Sequence, residues 1–193
     1  VRMDRFVWFG LGLMLTLAGC APRSANLPAG FEQFTDSDGR FAILYPNNWT
    51  FQPGPDAGVK LSDPADSSYQ VTVFSGKVPR ENIKSVSQFP RKQFGEQIGK
   101  TLIPRSGADD VQLPKTVVEI RKESQRTDKQ NRVYYAYEIV IATAGRANHT
   151  LVTAVIDKGS LYTAIVGCSD DTWAARKEKI TAIANSFQVL PAP

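Results

Sequence analysis

His149 is the only histidine in the chain, so any histidine base or imidazole metal ligand must come from this one residue. A Ser-His-Asp or Cys-His site would need it beside an activated nucleophile. No nucleophile-elbow sequence is present, and Cys168 lies between Gly167 and Ser169 with no electropositive setting in the sequence. Cys168 therefore reads as a small buried hydrophobe at a strand end, and His149 by default as a surface residue. Gly95-Glu96-Gln97-Ile98-Gly99-Lys100-Thr101 imitates a phosphate loop but has three residues between its glycines where the motif needs four, and it falls within a helical pattern. Asp36-Ser37-Asp38-Gly39 imitates a calcium loop. Its glycine comes two positions early, and the twelfth position, where a bidentate Glu is required, is Asn47. No acid, base and nucleophile set stands out, so the chain reads as a non-enzyme that requires no cofactor.

Cys20 carries the clearest chemistry. It follows Leu17-Ala18-Gly19, which close an apolar run from Phe6, and Arg2 and Arg5 precede that run. This is the order of a secretory signal peptide, and the run is short of the ~20 residues of a membrane-spanning helix. A cysteine directly after Leu-Ala-Gly matches a bacterial lipobox, in which the thiol receives a diacylglycerol and the chain is cut before it. The expected organisation is a signal peptide over residues 1–19, a lipidated Cys20 with a flexible tether over 20–30, and one domain over 31–190. Several acyl chains at one residue would hold the protein to a membrane surface. With Cys20 lipidated, only Cys168 remains and no internal disulfide is possible. The net charge of +4 is mild and gives no nucleic-acid signature.

The elements that would position these residues follow from period and punctuation. Strands are expected at Arg40–Tyr45, Val59–Ser62, Tyr69–Phe74, Thr116–Ile120, Arg132–Thr143, Thr150–Ile156 and Leu161–Gly167, with a hairpin turn at Asp157-Lys158-Gly159-Ser160. A first helix starts near Ser87 as N-cap, holds Pro90 in its first turn, directs Phe94, Ile98 and Leu102 to the core, and stops at Pro104; Asp109 and Asp110 fall in the loop after it. A closing helix starts from Asp170 or Asp171 as N-cap and buries Trp173, Ile180, Ile183 and Phe187. Trp49 and Tyr134 to Tyr137 read as core. Hairpin-linked strands with helices between them give an α+β fold, a central antiparallel sheet flanked by helices. Arg121, Lys122, Arg126, Lys129 and Arg132 cluster about a hairpin tip with Glu123 and Asp128 interleaved, and Arg176, Lys177 and Lys179 form a second basic patch. Each is either a solvated face or a docking surface for acidic loops of a membrane protein.

Gly30-Phe31-Glu32-Gln33-Phe34, Asp38-Gly39-Arg40-Phe41 and Leu44-Tyr45-Pro46 followed by Trp49 resemble the opening of the PsbP family. Tyr134-Tyr135-Ala136-Tyr137-Glu138 is similar to its "YYxYE" strand. The run from His149 through Gly159-Ser160-Leu161-Tyr162 to Trp173 resembles its C-terminal hairpin, and Ser186-Phe187 its closing helix. The resemblance covers Phe31 to Val189 and implies an α-β-α sandwich. It also implies an extrinsic protein of photosystem II; the lipidated form is similar to the cyanobacterial members, on the lumenal side of the thylakoid membrane. The partners implied are membrane subunits of photosystem II, approached by a protein monomeric in isolation. His149 and Asp170 fall where the family has a His and an Asp proposed to bind a divalent metal, which would be calcium, manganese or zinc. Residues 21–30 bear no likeness to the plant extension tied to calcium and chloride retention, so the implied role is assembly or stabilisation. The alternative is an extracytoplasmic lipoprotein that binds a divalent metal or small ligand and shares only the fold.

Overall fold

A computed structural model describes residues 27–54, 58–79, 82–103 and 116–191. The signal segment, Cys20, most of the tether, Pro104, Asp109 and Asp110 lie outside the described residues. Ten strands and two α-helices follow in the order β1 (Phe31–Thr35), β2 (Phe41–Pro46), β3 (Thr50–Pro53), β4 (Val59–Asp63), β5 (Asp66–Lys77), α1 (Arg91–Thr101), β6 (Thr116–Thr127), β7 (Val133–Thr143), β8 (Arg146–Asp157), β9 (Ser160–Ser169), α2 (Asp170–Ser186) and β10 (Gln188–Val189). Seven strands form one antiparallel sheet in the order β3-β4-β5-β9-β8-β7-β6, and β1-β2-β10 form a second.

The large sheet has a core on each face, because its central strands alternate two apolar sets. Tyr69, Val71 and Val73 of β5 and Tyr162, Ala164 and Val166 of β9 face α2 and the small sheet, with Trp49, Ile180, Ile183 and Phe187. Tyr135, Tyr137 and Ile139 of β7 and Val152, Ala154 and Ile156 of β8 face α1. This is the expected α-β-α sandwich. At the β8–β9 hairpin Lys158 and Gly159 have φ of 48° and 76°, the left-handed pair that a tight two-residue hairpin turn requires.

Several boundaries differ from the sequence reading, and three of them have a clear physical reason. Ser85, not Ser87, is the first cap: with Gln88 it closes a capping box around a 3-10 turn at Val86–Gln88. Phe89 is then extended (φ −111°, ψ 143°), as a residue before proline tends to be, so α1 starts only at Arg91 with Pro90 as its N-cap. Strand β6 runs to Thr127, because its pairing with β7 resumes at Lys122↔Glu138 after an irregularity between Ile120 and Lys122. As a sheet-edge strand it needs no apolar alternation to continue, only ladder bonds. Helix α2 starts one residue early, at Asp170 with Ser169 as N-cap, which leaves both aspartates in the first turn, where negative charge is favourable.

The Asp36 turn is held by Arg40, whose Nε and Nη2 donate to the carboxylate at 2.6 and 3.0 Å. The chain therefore uses this acid as an internal ion-pair partner. Burial raises the Asp36 pKa, but hydrogen bonds and charge from Arg40 outweigh it and hold the carboxyl below its usual value. Asp128 is lowered in the same way against burial, by Arg132, and Asp66 chiefly by Ser68 and then Arg176. Carboxyls with depressed folded values stabilise the fold above an unfolded pKa of ~3.9, and that contribution is lost as pH falls through the folded values. Burial acts in the opposite limb: it pushes Tyr69 up to about 12 and raises Tyr137 and Tyr162 as well. The neutral phenols stabilise the fold up to pH ~10, and this is lost as pH rises beyond it. These groups are therefore expected to lower the urea midpoint below roughly pH 5 and above roughly pH 9. Asp128→Asn should flatten part of the acid limb; an acid limb identical to that of the parent chain would refute the assignment.

Candidate functional site

His149 is not on the surface. It is 1% exposed, on the β8 face turned toward α2. The β7–β8 register sets it opposite Val140, with Glu138 diagonal to it on the same face. Helix α2 begins immediately after β9, so Asp170 opens beside the ring and Trp173, one turn on, covers it. Nδ1 lies 2.9 Å from Asp170 Oδ1 and Nε2 lies 2.9 Å from Glu138 Oε1. The indole of Trp173 stacks on the imidazole at 3.7 Å between centroids and 7° between planes. Both ring nitrogens face carboxylate oxygens, and both can donate only when the ring is the imidazolium. In that state two charge-assisted hydrogen bonds and a cation–π contact meet at one buried residue.

This arrangement positions groups; it does not activate a nucleophile. Cys168 lies directly across the ladder from His149, the nearest approach here to a Cys-His pair. Burial pushes its thiol pKa up, against a smaller lowering from Thr172, and both imidazole nitrogens are engaged elsewhere. The structure does bring His149 and Asp170 together, but as a hydrogen-bonded pair. Among the described residues no group of three or more His, Cys, Asp or Glu side chains gathers to hold a metal. Closed zinc sites take four ligands and calcium six or more oxygens, so this donor set does not fit a closed metal site. Glu138, the second partner of the histidine, was missed by sequence reasoning. Its signal was an acid on the inward phase of an apolar strand, where a charge needs a partner.

The basic residues divide into two kinds. Arg126 stacks 3.9 Å over the Tyr134 ring and donates to the Phe187 carbonyl, and burial lowers its pKa. Arg132 pairs with Asp128 at 2.7 Å and donates to the Val189 carbonyl. Arg176 pairs with Asp66 and lies 4.6 Å over the Tyr69 ring. These three arginines hold the fold together. Arg121, Lys122, Lys129, Lys177 and Lys179 are exposed, and Arg121 pairs only with Glu119 at 3.5 Å across solvent-exposed surface. Of these two patches, the charge left exposed lies on the outer strand β6, the adjoining turn and one side of α2. No helix among the described residues is long and apolar enough to cross a membrane.

Comparison with known proteins gives a concordant result. The PsbP family model matches residues 29–189. CyanoP from Thermosynechococcus vestitus is 23% identical over 195 residues, covering 97% of this chain and 99% of that protein. The solution structure of cyanobacterial PsbP (CyanoP) from Synechocystis sp. PCC 6803 superposes with a TM-score of 0.66 at 21% identity, covering 90% of this chain and 98% of that one.

Proposed function

The chain belongs to the PsbP family, and on that basis we propose that it is a non-catalytic accessory protein of photosystem II. Its place is the lumenal side of a cyanobacterial thylakoid membrane, where it acts in assembly or stabilisation of the complex. The observation that carries this reading is family similarity across the whole described domain, over residues 29–189. Two further features support it. Leu17-Ala18-Gly19-Cys20 supplies a lipid anchor that would confine the domain to a membrane surface. The buried His149 cluster has both imidazole nitrogens engaged and no activated nucleophile beside it.

Docking is electrostatic in this reading and requires no cofactor. Exposed Arg121, Lys122, Lys129, Lys177 and Lys179 meet acidic loops of the membrane subunits, which acts mainly on the rate of encounter. Tagged protein is expected to co-purify with photosystem II complexes or assembly intermediates solubilised at low salt, and to be lost as salt is raised. Charge reversal at Arg121 and Lys122 should slow association more than it speeds release. Consistent absence from these complexes, with stable capture of an unrelated partner, would overturn the proposal.

A further inference from the structure

Helix α2 packs on β8, β9 and β2 and leaves β6 and β7 largely uncovered by it on the same face of the large sheet. A cleft of about 350 Å³ lies between the helix and these outer strands. Its floor is two rows of ladder partners that cross from β6 over β7 to β8. One row is Lys122, Glu138 and Leu151, and the next is Ser124, Ala136 and Thr153. Its wall is one flank of α2, where Lys177, Thr181 and Asn185 recur at four-residue spacing. Beyond Ser124 and Asn185, Arg126 ties β6 to the Phe187 carbonyl at the end of α2. Every lining residue and its chain neighbours are among the described residues.

Three lining side chains carry charge: Lys122, Glu138 and Lys177. Glu138 stands directly across the ladder from Lys122. It is turned instead to His149, with Oε1 2.9 Å from Nε2, so its charge is answered inside the protein. Lys122 and Lys177 are exposed, and neither pairs with a carboxylate among the described residues. The Lys177 ammonium lies 5.7 Å from the Trp173 ring that covers His149. The histidine cluster thus withdraws the one negative charge that would cancel the lysines. Two unanswered cations stand on opposite banks, with the neutral hydroxyl and amide groups of Ser124, Thr153, Thr181 and Asn185 between them.

We infer that this cleft binds a small polyol phosphate, free or as the head group of a lipid. Lys122 and Lys177 donate to the phosphate from opposite banks, a common use of lysine. The side chains of Ser124, Thr181 and Asn185 bond to the polyol hydroxyls. A neutral polyol would leave both ammonium groups unanswered, and an apolar anion would leave the polar lining unpaired. The volume is near the lower end of the ~300–1,000 Å³ of small-molecule sites, which excludes a large body. The site stands whether or not the chain docks on photosystem II, although a phosphate bound there would compete with an acidic loop for both lysines.

The test is a titration of the full-length Cys20→Ser chain with glycerol phosphate at constant ionic strength, followed by amide chemical shifts. Saturable shifts are expected at residues 122–124, 136–138, 151–153 and 177–185, with glycerol alone producing none and inorganic phosphate binding more weakly. Lys122→Gln and Lys177→Gln should each weaken binding roughly three- to tenfold, the effect of one net hydrogen bond. Lys84→Gln removes the same charge from an exposed lysine outside the cleft and should leave binding unchanged. Ala136→Leu fills the floor with every charge in place and is expected to abolish the shifts. Dihexanoyl phosphatidylglycerol below its micellar concentration separates the sources: tighter binding than glycerol phosphate, weakened by the same lysine variants, assigns a lipid head group, and weaker binding assigns the free ligand. Absence of saturable shifts, or equal weakening by Lys84→Gln, would overturn the inference. So would shifts that persist unchanged in folded Ala136→Leu. Inorganic phosphate binding as tightly as glycerol phosphate would overturn the assigned polyol.

Discussion

Trp173→Ala is expected to lower the unfolding free energy by about 3–5 kcal/mol, the cost of deleting a large aromatic from a packed core. The indole is 8% exposed and packs into the core shared by α2 and the small sheet. Its removal also uncovers the His149 ring, now stacked beneath it, and opens the two carboxylate contacts to water. Urea unfolding followed by circular dichroism measures the loss, and an unchanged m-value keeps the comparison valid. Trp173→Phe should recover part of it by restoring a stacked ring. A loss below about 1 kcal/mol, the scale of surface substitutions, would show that the indole does not close this site.

Gly95→Ala should destabilise the protein even though alanine is the better helix former. A Cβ at Gly95 would meet Tyr137 Cε1 at 2.5 Å and Cδ1 at 2.8 Å. Tyr137 is 1% exposed and its hydroxyl donates to the Arg91 carbonyl at 2.8 Å, so the ring cannot swing aside without losing that bond. Helix propensity gains about 1 kcal/mol, and overpacking costs about 1–3 kcal/mol. A net loss of up to about 2 kcal/mol is therefore expected. Gly99→Ala should cost less, because its Cβ would meet only one methyl, Val118 Cγ1, at 2.9 Å. A Gly95→Ala variant more stable than the parent chain would mean that α1 stands farther from the sheet.

The same two glycines show what the sequence could and could not reveal. As letters, Gly95 and Gly99 suggested a failed phosphate loop; their role is to let a helix approach Tyr137 and Val118, and close approach leaves no local mark in the sequence. Strands with clean alternation, such as Tyr69–Phe74, and the Lys158-Gly159 turn were legible because period and turn chemistry are local. Strands β3 and β10 were not, because four exposed residues and a two-residue strand carry no period. His149 and Asp170 were linked only by resemblance. Their true setting depended on Glu138, which comes from a different strand and can be placed only when the β7–β8 register is known. The arginines were misleading for a related reason. Sequence charge cannot separate an Arg lying on a tyrosine ring, as Arg126 does, from a lysine in solvent.

Strand β10 has a consequence for the order in which the protein is made. Its two residues pair with β2, so Val189 lies against Phe41 and Gln188 against Ala42. The Tyr134 hydroxyl accepts from the Val189 amide at 3.0 Å, and Arg126 and Arg132 bind the neighbouring carbonyls. The small sheet is therefore stitched from opposite ends of the domain, and the first strands to emerge are the last to be completed. A chain delivered N-terminus first holds Phe41 and Ile43 without their full cover until residue 189 has arrived. Long-range closure of this kind is slow relative to local hairpins, so the small sheet is expected to close after the hairpins of the large sheet have formed.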